Sequence, residues 1–213
     1  MNMKVLIFGA TGGIGKWALK HALEKGHEVT AYVRNPSKLK EQHERLRVIK
    51  GEISDLTAMT DAMQGQEAVI WCVGVNMNDK LVKDDELRGH ENLLKAMKAN
   101  GVRRLIDWAT PSVKAKGDHW SFITLVPPFM ASFLFPNGKR ELKAIANLIE
   151  KSETDWTIVR FLAPKDTPYT GNVRVTFGDK HVNFKISRED IGAFMVQQLT
   201  SDEYLHKMPI IGS

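Results

Sequence analysis

The chain has 213 residues, of which 43% are hydrophobic and 26% charged, and its formal net charge is +5. That balance belongs to a chain with enough apolar surface to build a full core, and it excludes disordered and collagen-like classes. With one cysteine, Cys72, no disulfide can close within the chain, and no segment approaches the ~20 apolar residues of a membrane-spanning helix.

The elements follow in order. Residues 4–8 form an apolar strand that enters the turn Gly9-Ala10-Thr11-Gly12-Gly13-Ile14-Gly15, and residues 16–25 leave it as a helix. Residues 28–33 read as a second strand, 36–44 as a short helix and 47–50 as a third strand. Ser54 or Asp55 caps a helix to about residue 63. Residues 68–73 are an apolar strand in which Cys72 reads as a small buried hydrophobe. A helix over 84–99 stops at Asn100-Gly101, and 104–108 is a fifth strand. Between 122 and 135 the pair Pro127-Pro128 argues against one continuous helix. A helix over 138–151 and a strand over 156–160 follow. Residues 172–177 and 181–185 flank Gly178-Asp179 and predict a β-hairpin. Ser187 and Asp190 have capping-box spacing and open a last helix to about residue 199. Repeated βα units of this length predict an α/β protein, its parallel sheet covered by helices on both faces. The expected organisation is a single domain over 1–213, with a nucleotide-binding part over about 1–110 and substrate-side elements over about 111–213.

Strand, glycine turn and helix in that order are the setting in which backbone N–H groups and a helix N-terminus receive a pyrophosphate. Gly9 permits the tight turn, Gly12 and Gly13 let the backbone approach, and Gly15 lets the helix pack closely. Thr11 and Ile14 belong to the same loop. About twenty residues on, an acid would select the free ribose hydroxyls of NAD. This chain has Arg34, then Ser37 and Lys38, donors suited to a 2′-phosphate, so NADP(H) is the expected cofactor. Glu52 and Ile53 follow the third strand, where the adenine end lies. Val73 and Gly74 end the fourth strand, where the backbone passes close to the cofactor.

Residues 9–15, 32–38 (Tyr-Val-Arg-Asn-Pro-Ser-Lys) and 50–55 (Lys-Gly-Glu-Ile-Ser-Asp) resemble the atypical short-chain dehydrogenase/reductases. Residues 169–177, 186–195 and 199–204 are similar to the biliverdin-IXβ reductase or flavin reductase group, and the likeness covers nearly the whole chain, weakening over about 114–140. The resemblance implies a doubly wound Rossmann fold with a small C-terminal substrate lobe containing the hairpin. It also implies NADPH-dependent reduction of flavins and, in some members, of linear tetrapyrroles. Thr110 matches the position where the family places a serine near the nicotinamide, and Ser112 is its neighbour. These two are the catalytic candidates. Phe161 and Leu162 fall where a wall of the nicotinamide site is expected. Ala146 stands where the group carries a histidine near the bilin site, which disfavours proton-assisted bilin reduction.

Ordinary members of the superfamily use a Tyr-x-x-x-Lys pair to exchange a proton with a carbonyl. Here the matching spacing is Phe135-Pro-Asn-Gly-Lys139, and phenylalanine transfers no proton. Alcohol–ketone and sugar-epimerase chemistry are thereby disfavoured. Hydride transfer to a flavin, a quinone-like ring or a bilin survives, because the charge spreads over the acceptor. An NADP-sensing binding protein resembling the NmrA regulators is the alternative. Trp120, Phe122, Phe129, Phe133 and Phe135 are candidates for a lid over a flat acceptor. No histidine has metal-ligand spacing, and no basic run points to nucleic acid; Lys114, Lys116 and His119 read as a solvated loop. The expected setting is the cytoplasm, as a monomer or dimer, with a small-molecule acceptor and neither metal, nucleic acid nor membrane.

Overall fold

The computed structural model describes residues 2–75 and 84–213. The first half runs β1 (Lys4–Phe8), α1 (Gly15–Glu24), β2 (Glu28–Val33), β3 (Leu46–Lys50), α2 (Leu56–Met63), β4 (Ala68–Trp71), α3 (Asp85–Ala99) and β5 (Arg104–Ala109). The second half runs α4 (Phe122–Leu134), α5 (Pro136–Glu150), β6 (Asp155–Arg160), β7 (Pro164–Lys165), β8 (Arg174–Thr176), β9 (Ile186–Ser187), α6 (Arg188–Gln197) and β10 (Ile210–Gly212). The main sheet has the order β3-β2-β1-β4-β5-β6-β10-β8, parallel except for the β10–β8 pair. This is the doubly wound arrangement, with its switch point between β1 and β4.

Alternation along β1 builds the two layers. Val5 and Ile7 point to one face and meet Ala18, Leu19 and Ala22 of α1 and Ile191 and Met195 of α6. Leu6 and Phe8 point to the other and share a core with Met59 and Met63 of α2, Leu93 and Met97 of α3, and Leu142 and Ile145 of α5. Strands buried on both faces need continuous apolar runs, and β1 and β4 supply them. Asp55 caps α2 as expected, its side chain accepting from Ala58 N at 2.9 Å. No helix of the described residues is long and apolar enough to cross a membrane.

Four local expectations fail. Residues 122–134 form one helix with Pro127 and Pro128 inside it. The prolines remove bonds only to the carbonyls of residues 123 and 124, near the helix start. Thr124 Oγ1 accepts from Ser121 N at 3.1 Å there, and the Pro128 carbonyl is held by Ser132 Oγ at 2.9 Å and Lys139 Nζ at 2.8 Å. The helix expected over 36–44 is one 3-10 turn, Pro36–Lys38, because Leu39 adopts extended backbone (φ −87°, ψ 113°). The predicted hairpin does not form. Gly178 does turn the chain at φ +97°, but β8 pairs antiparallel with β10, and the return arm meets the chain end through a reciprocal Asn183–Ser213 pair at 3.0 Å. Ile210 and Ile211 are fully buried, and that burial decides which strand lies beside β8. Finally, Ser187 caps α6, accepting from Glu189 N at 3.1 Å. Asp190, however, does not close a capping box. It accepts from Thr170 N, Thr170 Oγ1 and Gly171 N instead, anchoring that loop to the helix.

One buried cation fastens the substrate side to the sheet. Arg160, fully buried at the end of β6, donates to Met208 O at 2.8 Å, to Val113 O at 2.9 Å and to both oxygens of Asp118. Removing one partner of such a pair strands a buried charge. Asp118→Ala is therefore expected to lower unfolding free energy by about 3–5 kcal/mol in a denaturant titration, and a loss below about 1 kcal/mol, the range of an exposed pair, would refute this account.

Candidate active site

Register brings the candidate residues to one edge. Phe8 pairs with Tyr32 and Trp71, Val33 with Lys50, and Ala109 with Arg160. The segments that follow, starting at Gly9, Arg34, Gly51, Cys72, Thr110 and Phe161, therefore emerge along the carboxyl edge of the sheet, the ligand-binding edge of open α/β folds.

The glycine turn is built as its sequence requires. Gly9 has φ +73°, and a Cβ there would stand 2.7 Å from the Cys72 carbonyl. Gly12 N donates to Gly9 O at 2.8 Å. A Cβ on Gly15 would lie 2.1 Å from that same Gly9 oxygen, so α1 can begin there only with glycine. No side chain caps α1 and no acid lies in its first turn, which leaves its positive end facing the edge. Thr11 is exposed beside it.

Arg34, Ser37 and Lys38 are exposed just past β2. Asn35 organises this turn, its side-chain oxygen accepting from Ser37 N at 3.1 Å and Ser37 Oγ at 2.7 Å. Glu52 is exposed and its carbonyl accepts from Tyr32 Oη at 3.0 Å; Ile53 packs under Gly89 of α3. Val73 turns its carbonyl to Trp108 Nε1 at 2.8 Å, whereas Gly74 borders a cavity.

That cavity, of about 910 Å³, joins Gly12, Gly13 and Ile14 to Thr110, Ser112, Trp108 and Phe161. Thr110 Oγ1 and Ser112 Oγ stand 2.6 Å apart, a hydroxyl pair in an apolar surround. Phe161 stacks on Trp108 with ring centroids 5.6 Å apart. Cys72 also lines the wall, and burial, assisted by Asp107, pushes its thiol far above the ordinary value. A protonated thiol is no nucleophile at neutral pH.

The aromatic residues of α4 and its two ends divide. Phe122 and Phe135 line the cavity with Val126, Met130 and Leu134. Phe129 and Phe133 do not line it: their rings meet tilted, with centroids 5.0 Å apart, and the two residues are 67% and 73% exposed, while Trp120 is 88% exposed. The expected five-residue lid is therefore a two-phenylalanine wall. Positions 122, 126, 130 and 134 form a row four residues apart that meets the cavity, whereas 129 and 133 project within ~20° of 122 around the helix, at the outer edge of that face, so spacing alone could not separate them. Lys139 is turned away from the chemistry. Its ammonium donates to Pro128 O and to Ser132 Oγ at 2.6 Å, pinning α5 to α4. Ala146 lies in the core, 2% exposed.

Sequence reading missed two groups. Trp108 is one; its place on β5 was legible, its inward indole was not. The other is Arg188, the first residue of α6, which lines the cavity beside Gly13 and pairs with Asp166 at 2.6 Å. The Ser187 cap drew attention to this helix as structure only.

Below the edge lies a buried polar cluster. His90 Nε2 meets Asp107 Oδ2 at 3.0 Å, and His90 Nδ1 meets Glu86 O at 2.7 Å. Glu141 of α5 accepts from Glu86 N and Leu87 N at the start of α3. Burial disfavours the charge on His90, but the charge and hydrogen bond of Asp107 outweigh it and raise the imidazole above its ordinary value. Burial pushes the Glu86 carboxyl up to about 7; nearby His90 opposes this, and Glu141 and Asp107 add to it.

This edge, with its glycine turn and its uncapped helix end, defines a dinucleotide-binding doubly wound α/β protein. The NAD(P)H-binding family matches residues 9–202, and the chain belongs to that family. The kinship read from the sequence is borne out. A curated relative, oxidoreductase aflX of Aspergillus parasiticus, is 27% identical over 214 residues, covering 95% of this chain and 79% of that protein. Among solved structures, the fold resembles ChuY of Escherichia coli O157:H7, described as an anaerobilin reductase (TM-score 0.78, 18% identity, 98% and 96% of the two chains). It also resembles a wide-type short-chain dehydrogenase/reductase of Veillonella parvula in complex with NADP (TM-score 0.77, 18% identity, 100% and 95%).

The cluster gives stability a pH dependence. An ordinary glutamate ionises at 4.5, whereas the folded chain keeps Glu86 protonated up to about 7. Its stabilising contribution is thus complete below 4.5 and lost as pH rises through about 7. His90, raised as well, contributes below its ordinary value and loses that contribution as pH climbs through its folded value, so the two act in the same direction. The thermal midpoint of Glu86→Gln is expected to depend less steeply on pH between about 5 and 8 than that of the parent chain; parallel curves would contradict this reading.

Proposed function

We propose that this protein is an NADPH-dependent oxidoreductase that reduces a planar conjugated acceptor, such as a free flavin, a quinone-like ring or a bilin. The observation that carries the reading is the single cavity running from the glycine turn to the Thr110–Ser112 pair. The residues fit the cofactor. Gly9, Thr11, Gly12, Gly13, Ile14 and Gly15 would receive its pyrophosphate. Arg34, Ser37 and Lys38 would take the 2′-phosphate and favour NADP over NAD. Glu52 and Ile53 would border the adenine end, and Val73, Gly74, Thr110 and Phe161 the nicotinamide end. When bound, NADPH supplies the hydride, becoming NADP⁺.

The chain's own residues orient and dry the reaction. Trp108 and Phe161 hold one wall rigid by stacking, and Phe122, Met130, Leu134 and Phe135 exclude water on the other. Thr110 and Ser112 share a proton-bearing contact and can relay one proton from solvent to the reduced acceptor. With Phe135 in place of a tyrosine and Lys139 committed to α4, the site lacks the tuned phenol that carbonyl reduction requires. Charge-delocalising acceptors need none, so positioning dominates.

Purified protein mixed with NADPH and FMN, a small quinone or biliverdin is expected to consume NADPH, and Arg34→Ala to reduce the preference over NADH. Tight NADPH binding by calorimetry with no turnover on any acceptor would replace the enzyme by an NADP-sensing binding protein. The divided helix sharpens this. Phe135→Ala is expected to raise acceptor KM by about tenfold to a hundredfold, the burial of one large side chain being worth ~1.5–3 kcal/mol, with Phe129→Ala and Phe133→Ala leaving it unchanged. Equal effects from all three would mean that lining the cavity does not decide which phenylalanine meets the acceptor.

A further inference from the structure

We infer that Arg188 is a cofactor ligand: its guanidinium closes over the glycine turn to bind the dinucleotide pyrophosphate, exchanging Asp166 for the cofactor. The inference rests on the dinucleotide reading of the cavity and adds to it a ligand from the last helix, far from the turn in sequence.

Three observations converge. First, α6 is brought onto α1 by its own glycine. A Cβ on Gly192 would stand 2.7 Å from Ala18 N and 2.8 Å from Trp17 Cβ, so only glycine allows this approach. Lys20 and His21 of α1 reach Glu189 at 3.1 Å and 3.3 Å and fix the register. Arg188 lies one turn before Gly192 and is thereby held beside the start of α1.

Second, Gly13 makes room for it. Gly9 needs glycine for its positive φ, but Gly13 does not have such a backbone. What its missing side chain provides is space: a Cβ there would stand 3.0 Å from both Cδ and Nε of Arg188. The arginine stem thus lies across the part of the loop whose backbone faces a pyrophosphate.

Third, the charge is poised. Arg188 lines the cavity, its side chain is 28% exposed, and its partner Asp166 is 77% exposed. An ion pair with so exposed an acid is weak, whereas a guanidinium gripping a pyrophosphate between itself and backbone donors makes charge-assisted, two-pronged bonds. Asp166 is the counter-ion that the pyrophosphate would displace.

Binding constants measured by calorimetry separate this role from the others. Arg188→Ala is expected to weaken NADPH and NADH alike by about tenfold to a hundredfold. It should leave adenosine 2′-monophosphate, which has no pyrophosphate, unchanged. Arg34→Ala should do the reverse, losing the 2′-phosphate ligands and sparing NADH. Arg188→Lys keeps the charge without the fork and should fall between. Asp166→Asn, which removes only the competitor, is expected to tighten NADPH several-fold. Unchanged NADPH affinity in Arg188→Ala or in Asp166→Asn would overturn the inference, as would equal loss of adenosine 2′-monophosphate. A parent protein that binds neither dinucleotide would instead overturn the reading on which it rests.

Discussion

The turn after β1 is the constraint on which the rest of the molecule depends. Gly9 reverses the chain against the Cys72 carbonyl, and Gly15 starts α1 against the Gly9 carbonyl. Two backbone approaches of this kind leave no room for a Cβ, so strand, neighbouring strand and helix are locked within a few residues of one another. With β1 fixed between β2 and β4, its alternating side chains assign α1 and α6 to one layer and α2, α3 and α5 to the other. The parallel register then brings six strand ends to one edge, and the cavity is what remains between that edge and α4.

The second half of the chain completes the site from the opposite side. Arg160 and Asp118 bind the segment after β5 to the sheet, and Lys139 ties α4 to α5. These polar links leave α4 free to be uncharged: residues 120–138 contain no acid or base. The helix therefore gives one apolar face to the cavity and leaves Phe129 and Phe133 outside it. The same economy explains the chemistry proposed. A lysine used as a strut and a phenylalanine used as a wall leave a hydroxyl pair as the proton carrier, which suits acceptors that spread their own charge.

Much of this was legible in the residues. The strand-turn-helix start, the order of βα units, the Asp55 cap and the convergence of Gly9, Arg34, Glu52, Gly74 and Thr110 on one edge follow from local pattern and from the handedness of parallel units. What local pattern could not give were choices between partners distant in sequence. Residues 172–177 and 181–185 looked like partners, yet the buried Ile210 and Ile211 won the place beside β8. Pro127 and Pro128 looked like breakers, yet they fall early enough in the helix to remove only two bonds near its start, while Ser132 and Lys139 hold the Pro128 carbonyl further along. Asp190 looked like a cap, yet it holds the loop at Thr170. Arg188 had no local signal at all, because its place over Gly13 depends on Gly192 meeting α1 about 170 positions earlier in the chain.

The central claim is that this cavity holds NADPH and an acceptor face to face and passes hydride directly between them. NADPH carrying deuterium at one or the other C4 position of the nicotinamide tests it. The account predicts a primary isotope effect on acceptor reduction from one epimer only, with the label recovered in the reduced acceptor or lost from it by exchange, and retention of the label in NADP⁺ from the other epimer. Acceptor reduction without an isotope effect from either epimer in single-turnover mixing, where the transfer step itself is observed, would contradict it.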